Sequence, residues 1–345
     1  MKFALYEQAH VFEELEPEWN ELLSRSVTDT IFLTHEWQST WWRSYQAGDL
    51  FVVACRDEDG RLVAIAPWFI RHLDGERVLR TIGCVDVTDY VDLIVDKDYT
   101  APVQSMLSAL LAQHHLKYDR INLCNIPEAS PNYMHFPDAL RRCGFDADVV
   151  LQEVCPVIHL PETWEAYLES LDKKQRHEIR RKLRRAENEA DLEYYVVTPE
   201  HNLAEEMERF IYLMKSSQPS KAEFMSNPKN EHFFRALTEI TFARGWLRMS
   251  FLKVNGKAVA AYFDFDYGGN ILVYNSGLLP DEYSHLSTGI VLLAYNIKSA
   301  IETGHKLFDF LRGNETYKYR MGGIDTRVYK LMARRDGAAH PTDRE

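Results

Sequence analysis

At 345 residues the chain has room for two domains of ordinary size. An apolar share of 46% and a charged share of 27% describe a globular chain with a substantial core, which excludes a fibrous or disordered protein. A formal charge of −12 argues against DNA binding by the protein as a whole and leaves only local basic patches for anionic partners.

From the N-terminus, the first residues lack the apolar run and small-residue cleavage site of a secretory leader. No apolar stretch approaches the ~20 residues needed to span a bilayer. A cytoplasmic location is therefore expected. The five cysteines (Cys55, Cys84, Cys124, Cys143 and Cys155) are scattered, odd in number and form no Cys-x-x-Cys pair, so they read as reduced thiols. Residues 13–25 read as a helix. Thr34 is a natural N-cap for a second helix over 36–46, where Trp37, Trp41 and Tyr45 share one face. Such a stripe belongs in a core more often than on a sugar, whereas Trp42, off the stripe, is the better candidate for stacking on a ligand.

Next come strands at 51–55, 62–66 and 78–82, separated by Asp59-Gly60 and Asp74-Gly75. Asp-Gly between apolar runs is a strong hairpin signal, because two-residue turns need positive φ. A polar loop with Asp89 and Tyr90, a helix over 101–114, a strand over 119–124 and a helix over 131–143 ending at Gly144 follow. Residues 146–160 are extended up to Pro161, where a domain boundary is placed. The second half opens with one long helix from 163 to about 190 and a helix over 203–215. The stretch 216–230, polar and with two prolines, reads either as a substrate lid or as a plain surface loop.

Strands at 251–254, 258–263 and 271–274 then repeat the earlier pattern, with Asn255-Gly256 and Gly268-Gly269 as their turns. A helix over 288–302 and a strand at 308–311 close it. Gly60 to Gly256, Gly75 to Gly269 and Asp119 to Asp309 are spaced by 196, 194 and 190 residues. Unrelated hairpins would not keep that register, so the chain reads as a duplicated α/β module. Its expected parts are an N-terminal copy over 1–160, a C-terminal copy over 161–334 and a flexible tail over 335–345.

The copies differ where chemistry is expected. In the second, a strand feeds Ser287-Thr288-Gly289 at the start of an apolar helix. Free N–H groups and the positive end of the helix dipole make such a turn a site for pyrophosphate, although Ser287 and Thr288 can equally be plain caps. The matching stretch of the first copy, 96–102, carries two aspartates and no glycine and would repel phosphate. The last strand ends in a glycine break, Gly313, with Asp309, Glu315, Tyr317, Lys318 and Arg320 within a dozen residues. Strand C-termini in α/β folds present ligands, so Asp309 and Lys318 are candidates for positioning an amine or holding an oxyanion; a solvated turn is the alternative. Residues 173–185 carry eight basic side chains against one acid. Arg176, Arg180 and Arg184 could meet a phosphate-rich partner, or the helix could be a solvated face. No His, Cys and carboxylate grouping has zinc spacing, so no metal is expected.

The run Leu307-Phe-Asp-Phe-Leu-Arg-Gly-Asn-Glu-Thr-Tyr-Lys318 resembles the signature of the CelD-like (BioF2-type) acyltransferases of the GNAT superfamily. Pro17-Glu-Trp19, Phe32-Leu-Thr-His-Glu-Trp37 with Trp41-Trp42, Thr88-Asp89-Tyr90-Val-Asp92 and the Arg-rich helix resemble further family features, in family order, over roughly residues 15–325. The resemblance implies a tandem GNAT fold, with mixed, largely antiparallel sheets flanked by helices, related to the Fem-type aminoacyltransferases. It further implies acyl transfer by direct attack from acyl-CoA, in the first instance acetyl-CoA, to an amine or hydroxyl of a small-molecule, sugar or polysaccharide-precursor acceptor. The usual GNAT pyrophosphate loop, Arg/Gln-x-x-Gly-x-Gly/Ala, is absent, and Ser287, Thr288 and Gly289 stand in for it. On this reading Asp89 is a candidate base, Tyr317 a proton donor to the leaving thiolate, Lys318 a phosphate or oxyanion ligand, and Trp42 and Tyr90 acceptor contacts. Two alternatives stand beside it: a Fem-type enzyme using aminoacyl-tRNA, and a non-catalytic module binding a nucleotide-linked glycan or a protein.

Overall fold

The computed structural model describes residues 1–84 and 87–335. The chain divides into two compact units, one formed by Met1–Val154 with the segment from Arg327 onward, the other by Cys155–Thr326. The cut expected at Pro161 differs from this division chiefly at the last strand. Ile324–Arg335 pairs antiparallel with Arg120–Pro127 (Val328↔Pro127 to Arg334↔Arg120), so its greater part belongs with the first unit. Of the tail expected over 335–345, Arg335 ends this strand and residues 336–345 lie outside the described residues.

In the first unit Asp49–Arg56, Leu62–Leu73 and Glu76–Thr81 form an antiparallel meander. Its second turn has Asp74 at φ 50° and Gly75 at φ 81°, the left-handed pair that Asp-Gly supplies. Helix Thr100–Gln113 then returns the chain to Arg120–Pro127, which lies parallel to Glu76–Thr81 through Val78↔Arg120 and Leu79↔Ile121. Phe51, Trp68, Leu107, Leu111, Ile121 and Phe136 pack into the core beneath this sheet. Thr34 caps helix His35–Tyr45 by accepting from the Trp37 N–H at 3.2 Å, a contact contributing about 1 kcal/mol.

The second unit repeats the scheme. Leu247–Val254, Lys257–Tyr267 and Asn270–Leu278 form the meander, Thr288–Glu302 is the returning helix, and Leu307–Asp309 lies parallel to Asn270–Leu278. Both units thus contain three antiparallel strands, a helix, and a strand parallel to the third. The chain is a duplicated, mixed α/β fold with largely antiparallel sheets flanked by helices.

Three expectations change. The long helix from 163 is two helices, Trp164–Ser170 and Lys173–Glu189, because Asp172 is extended and its carboxylate accepts from the Lys174 and Gln175 N–H groups at 2.9 Å, starting a new helix. The stretch 216–230 is ordered into helix Pro219–Ser226 and the first turn of helix Pro228–Ala243. Each proline occupies the beginning of its helix, where its missing N–H removes no bond. The thiols are not all free: Cys84 and Cys124 form a disulfide, their Cα atoms 5.8 Å apart, while Cys55, Cys143 and Cys155 are unpaired.

Candidate active site

Strand Asn270–Leu278 is paired along its length with Lys257–Tyr267, with an irregularity where Asn275 faces Phe263 and Val273 faces Asp264, leaving Tyr274 as the extra residue of a bulge. On the other side its pairing with Leu307–Asp309 stops after three residues, at Leu272↔Asp309. Beyond that point Leu307–Asp309 no longer pairs with residues 273–278. Gly277 is required there: a Cβ would stand 2.3 Å from the Met214 nitrogen, so only glycine lets the end of helix Leu203–Ser217 press on the strand. The short helix that follows carries Lys221 over the edge, where Nζ donates to the Ser276 carbonyl at 2.5 Å.

Helix Thr288–Glu302 begins beside this strand. Ser287 is left-handed (φ 56°, ψ 47°) and makes no side-chain cap, so the plain-cap alternative for this residue does not hold. Its carbonyl receives the Ile290 and Val291 N–H groups at 2.9 and 3.1 Å. The earlier first-turn N–H groups, at Thr288 and Gly289, are of the kind a helix leaves without an intrahelical acceptor. Thr288 is buried and Gly289 partly so.

The segment after Leu307–Asp309 is folded on itself. Asp309 is 5% exposed and its Oδ1 accepts from the Leu311 N–H at 2.7 Å, holding Leu311 at φ 56°. Lys318 is 2% exposed; its Nζ donates to the carbonyls of Leu311 (3.2 Å), Arg312 (2.8 Å) and Gly313 (3.1 Å) and pairs with Glu315 at 2.9 Å. Expected as a ligand to phosphate or an oxyanion, Lys318 is a clamp instead, since an ammonium has only three donors and all are committed to the loop. Asp309 likewise serves the turn. Tyr317 is packed edge-on to Phe310, and burial, then Glu315 and Asp264, push its phenol above the ordinary tyrosine range.

Asp264 was not singled out from the sequence, although a carboxylate inside the apolar run 258–265 was the available signal. It is 1% exposed, and neither oxygen has a hydrogen-bond partner. It faces Arg248 in strand register, but Arg248 donates through Nη2 to Ser299 Oγ at 2.7 Å. Burial pushes the Asp264 carboxyl well above the carboxylate range, against weaker pulls from Arg248 and the Tyr274 N–H. Tyr262, Asp264 and Tyr317 act on one another electrostatically, which places them in one buried neighbourhood.

A cavity of about 540 Å³ opens between helices Lys173–Glu189 and Thr288–Glu302. Arg180, Arg184 and Lys298 supply its cations, and His177, Trp164 and Tyr295 its rings. The one acid in its lining, Glu187, accepts from the Tyr295 hydroxyl at 2.9 Å. Arg180 and Arg184 thus stand together in a pocket, whereas Arg176 is outside its lining. Arg181 and Arg185, on the same helix, are paired with Glu178 and Glu189.

The remaining predicted residues lie in the first unit. Trp42 is 8% exposed and edge-on to Phe69, so it is core and not a stacking platform; Trp37 and Trp41 are buried as the stripe implied. Tyr90 is 8% exposed and edge-on to Phe32. Asp89 is half-buried between two locked neighbours. Thr88 accepts from Trp37 Nε1 at 3.1 Å, and Asp92 accepts from Thr28 Oγ1, Asn132 Nδ2 and the Leu93 N–H at 2.7 to 2.8 Å. Among the described residues no group of three or more His, Cys, Asp or Glu is placed to hold a metal ion, and no helix is long and apolar enough to cross a membrane.

Residues 173–319 match the acetyltransferase (GNAT) domain family. No curated protein matches the sequence. Among solved structures, FemX is similar at TM-score 0.65 and 11% identity, over 96% of this chain and 97% of that one. A conserved protein of unknown function from Bacteroides thetaiotaomicron is similar at 0.59 and 14% (97% and 100% covered). The C-terminal domain of a putative lysylphosphatidylglycerol synthetase from Agrobacterium fabrum is similar at 0.55 and 11% (93% and 92% covered). At these identities the likeness concerns the fold.

Proposed function

Given that the chain is an acyltransferase with a GNAT-type domain in its second unit, we propose that it moves an acyl group, in the first instance acetyl, from acyl-CoA to an amine or hydroxyl. The acceptor is a small molecule, a sugar or a polysaccharide precursor, as in the CelD-like subfamily whose motifs it resembles. One observation carries the donor assignment: the strand whose pairing with Leu307–Asp309 ends early is followed, after a short turn of 3-10 helix at Ser284–Leu286, by a helix whose N-terminus Ser287 leaves uncapped. An extended pantetheine arm can lie along 273–278, the part of the strand that Leu307–Asp309 does not pair with, and the diphosphate can then reach the N–H groups at 288–289.

In this arrangement backbone N–H groups of the bulged edge polarise the thioester carbonyl, which needs no covalent intermediate. Tyr317, kept protonated by its burial, supplies a proton to the departing thiolate. Asp309 and Lys318 hold the loop that carries it. Asp89 stays the candidate base named from the sequence, and Tyr90 a candidate acceptor contact. The pocket of Arg180 and Arg184 takes a phosphate of either substrate, and acyl-CoA and aminoacyl-tRNA are both cytoplasmic pools, which supports a cytoplasmic location.

Replacing Ser287 by Asp sets a carboxylate where the diphosphate would lie. Charge repulsion at about 5 Å should weaken acetyl-CoA at least tenfold, ~1.4 kcal/mol. Unchanged affinity would remove the site from this turn. The second reading, an aminoacyl-tRNA donor, is favoured by one feature only, the cationic pocket, and predicts a steep salt dependence of RNA binding that Arg180→Gln with Arg184→Gln would flatten.

A further inference from the structure

We infer that Lys221 is the group that takes the proton from the attacking amine or hydroxyl, a role that rests on the acyl-transfer reading above. The residue lies in the stretch 216–230, where the sequence shows no periodic signal, and its position follows from packing. Gly277 brings the last turn of helix Leu203–Ser217 against the strand, Pro219 starts the next helix two residues later, and Lys221 in its first turn reaches the part of the strand that Leu307–Asp309 does not pair with. Nζ donates to the Ser276 carbonyl at 2.5 Å and lies 3.4 Å from Ser276 Oγ. Ser276 is two residues past the bulge at Tyr274, on the part of the strand that Leu307–Asp309 no longer covers.

Among the described residues no carboxylate forms an ion pair with Lys221. Of the charged groups on the elements around it, Glu315 is the one that acts on its charge, from the segment after Leu307–Asp309, and Glu315 is itself held by Lys318 at 2.9 Å. Burial, opposed by Glu315, lowers the amine from the ordinary lysine range to about 8. About a quarter of molecules then carry the neutral amine at pH 7.5, a useful fraction for a general base. A neutral amine keeps an N–H on the Ser276 carbonyl and leaves its lone pair available. Lys318 offers the contrast: every donor is engaged by three carbonyls and a carboxylate, so it has no such freedom.

The step balances without a further reagent. The acceptor nitrogen or oxygen attacks the thioester carbon, the new C–N or C–O bond forms as the C–S bond breaks, and the nucleophile's proton passes to Lys221. The thiolate is protonated by Tyr317, and both side chains return to their starting states by exchange with solvent.

The test uses the full chain, acetyl-CoA and hydroxylamine, a surrogate acceptor that is already neutral across the range of interest. Thiol release by the wild type should rise with pH through about 8. Lys221→Arg keeps a cation and a donor but cannot lose its proton; it should lower thiol release at least thirtyfold from pH 6.5 to 9.5 while acetyl-CoA binds as before. In competitive labelling with acetic anhydride, the Lys221 peptide should react with a midpoint near 8, below the ordinary lysine range, and acetyl-CoA should protect it. An arginine variant with wild-type rates, or a Lys221 that acetyl-CoA binds without protecting, overturns the assignment. If acetyl-CoA neither binds nor turns over in the wild type, the donor reading fails, and the role of Lys221 fails with it.

Discussion

Replacing Lys318 by Ala should destabilise the second unit more than it disturbs any ligand. The side chain is 3% exposed and closes the segment 311–313 by donating to three consecutive carbonyls. Each buried carbonyl left without a donor costs about 1–3 kcal/mol, less where water can enter. The lost stem adds roughly 0.8 kcal/mol for each buried methylene. Relief of the buried ammonium offsets part of this, and the pair with Glu315 adds little because that carboxylate is 57% exposed. A net cost of about 3 kcal/mol is the reasonable sum, or a fall of roughly 6–12 °C in Tm for a unit of this size. Lys318→Met retains most of the stem and removes only the donors, so it should recover no more than about 2 kcal/mol. Thermal melts followed by near-ultraviolet circular dichroism would read both. A Lys318→Ala protein that melts within 2 °C of wild type yet has lost turnover would show that the ammonium acts on substrate, and would refute the clamp.

Three further outcomes follow from the buried groups. Asp264 has a folded pKa raised by burial, so the native state holds a proton that the unfolded state releases above about pH 4, and stability falls as pH rises from there towards the folded value. Asp264→Asn should therefore gain stability over wild type progressively between pH 4 and pH 7; parallel Tm curves would mean that the carboxylate is solvated. Titration of the denatured, unreduced protein should find three thiols, and five after reduction; five at the outset would contradict the Cys84–Cys124 bond. Arg180→Gln with Arg184→Gln should leave Tm within a degree or two, because both side chains are exposed, while weakening any phosphate-bearing ligand of the cavity. A fall of more than 5 °C would make them structural.

The duplication was legible because its signals are local. Asn255-Gly256 and Asp74-Gly75 must turn, the apolar runs beside them must pair, and a constant spacing needs no knowledge of packing. Thr34 was readable for the same reason, since a cap is decided within four residues. What could not be read depended on neighbours distant in sequence or on a curled loop. Lys318 looks like a free cation until residues five to seven positions earlier curl round it. Trp42 looks exposed until Phe69 closes on it. Cys84 and Cys124 are 40 residues apart, a spacing that carries no geometry. Prolines at 219 and 228 made 216–230 resemble a loop because proline breaks helices and also begins them. Of the basic helix, sequence periodicity named Arg180 and Arg184 but could not separate them from Arg176, which requires the opposing helix with Tyr295 and Lys298.

The identity of the donor is tested most directly by a calorimetric titration of the full chain, with acetyl-CoA in one experiment and a charged aminoacyl-tRNA in the other. An acyl-CoA enzyme should bind one acetyl-CoA per chain, weakened at least tenfold by Ser287→Asp, and show at most weak, salt-sensitive association with the RNA. Tight binding of the aminoacyl-tRNA with no heat from acetyl-CoA would contradict the acyl-CoA assignment and make the cationic pocket, not the turn at 287–289, the seat of the donor.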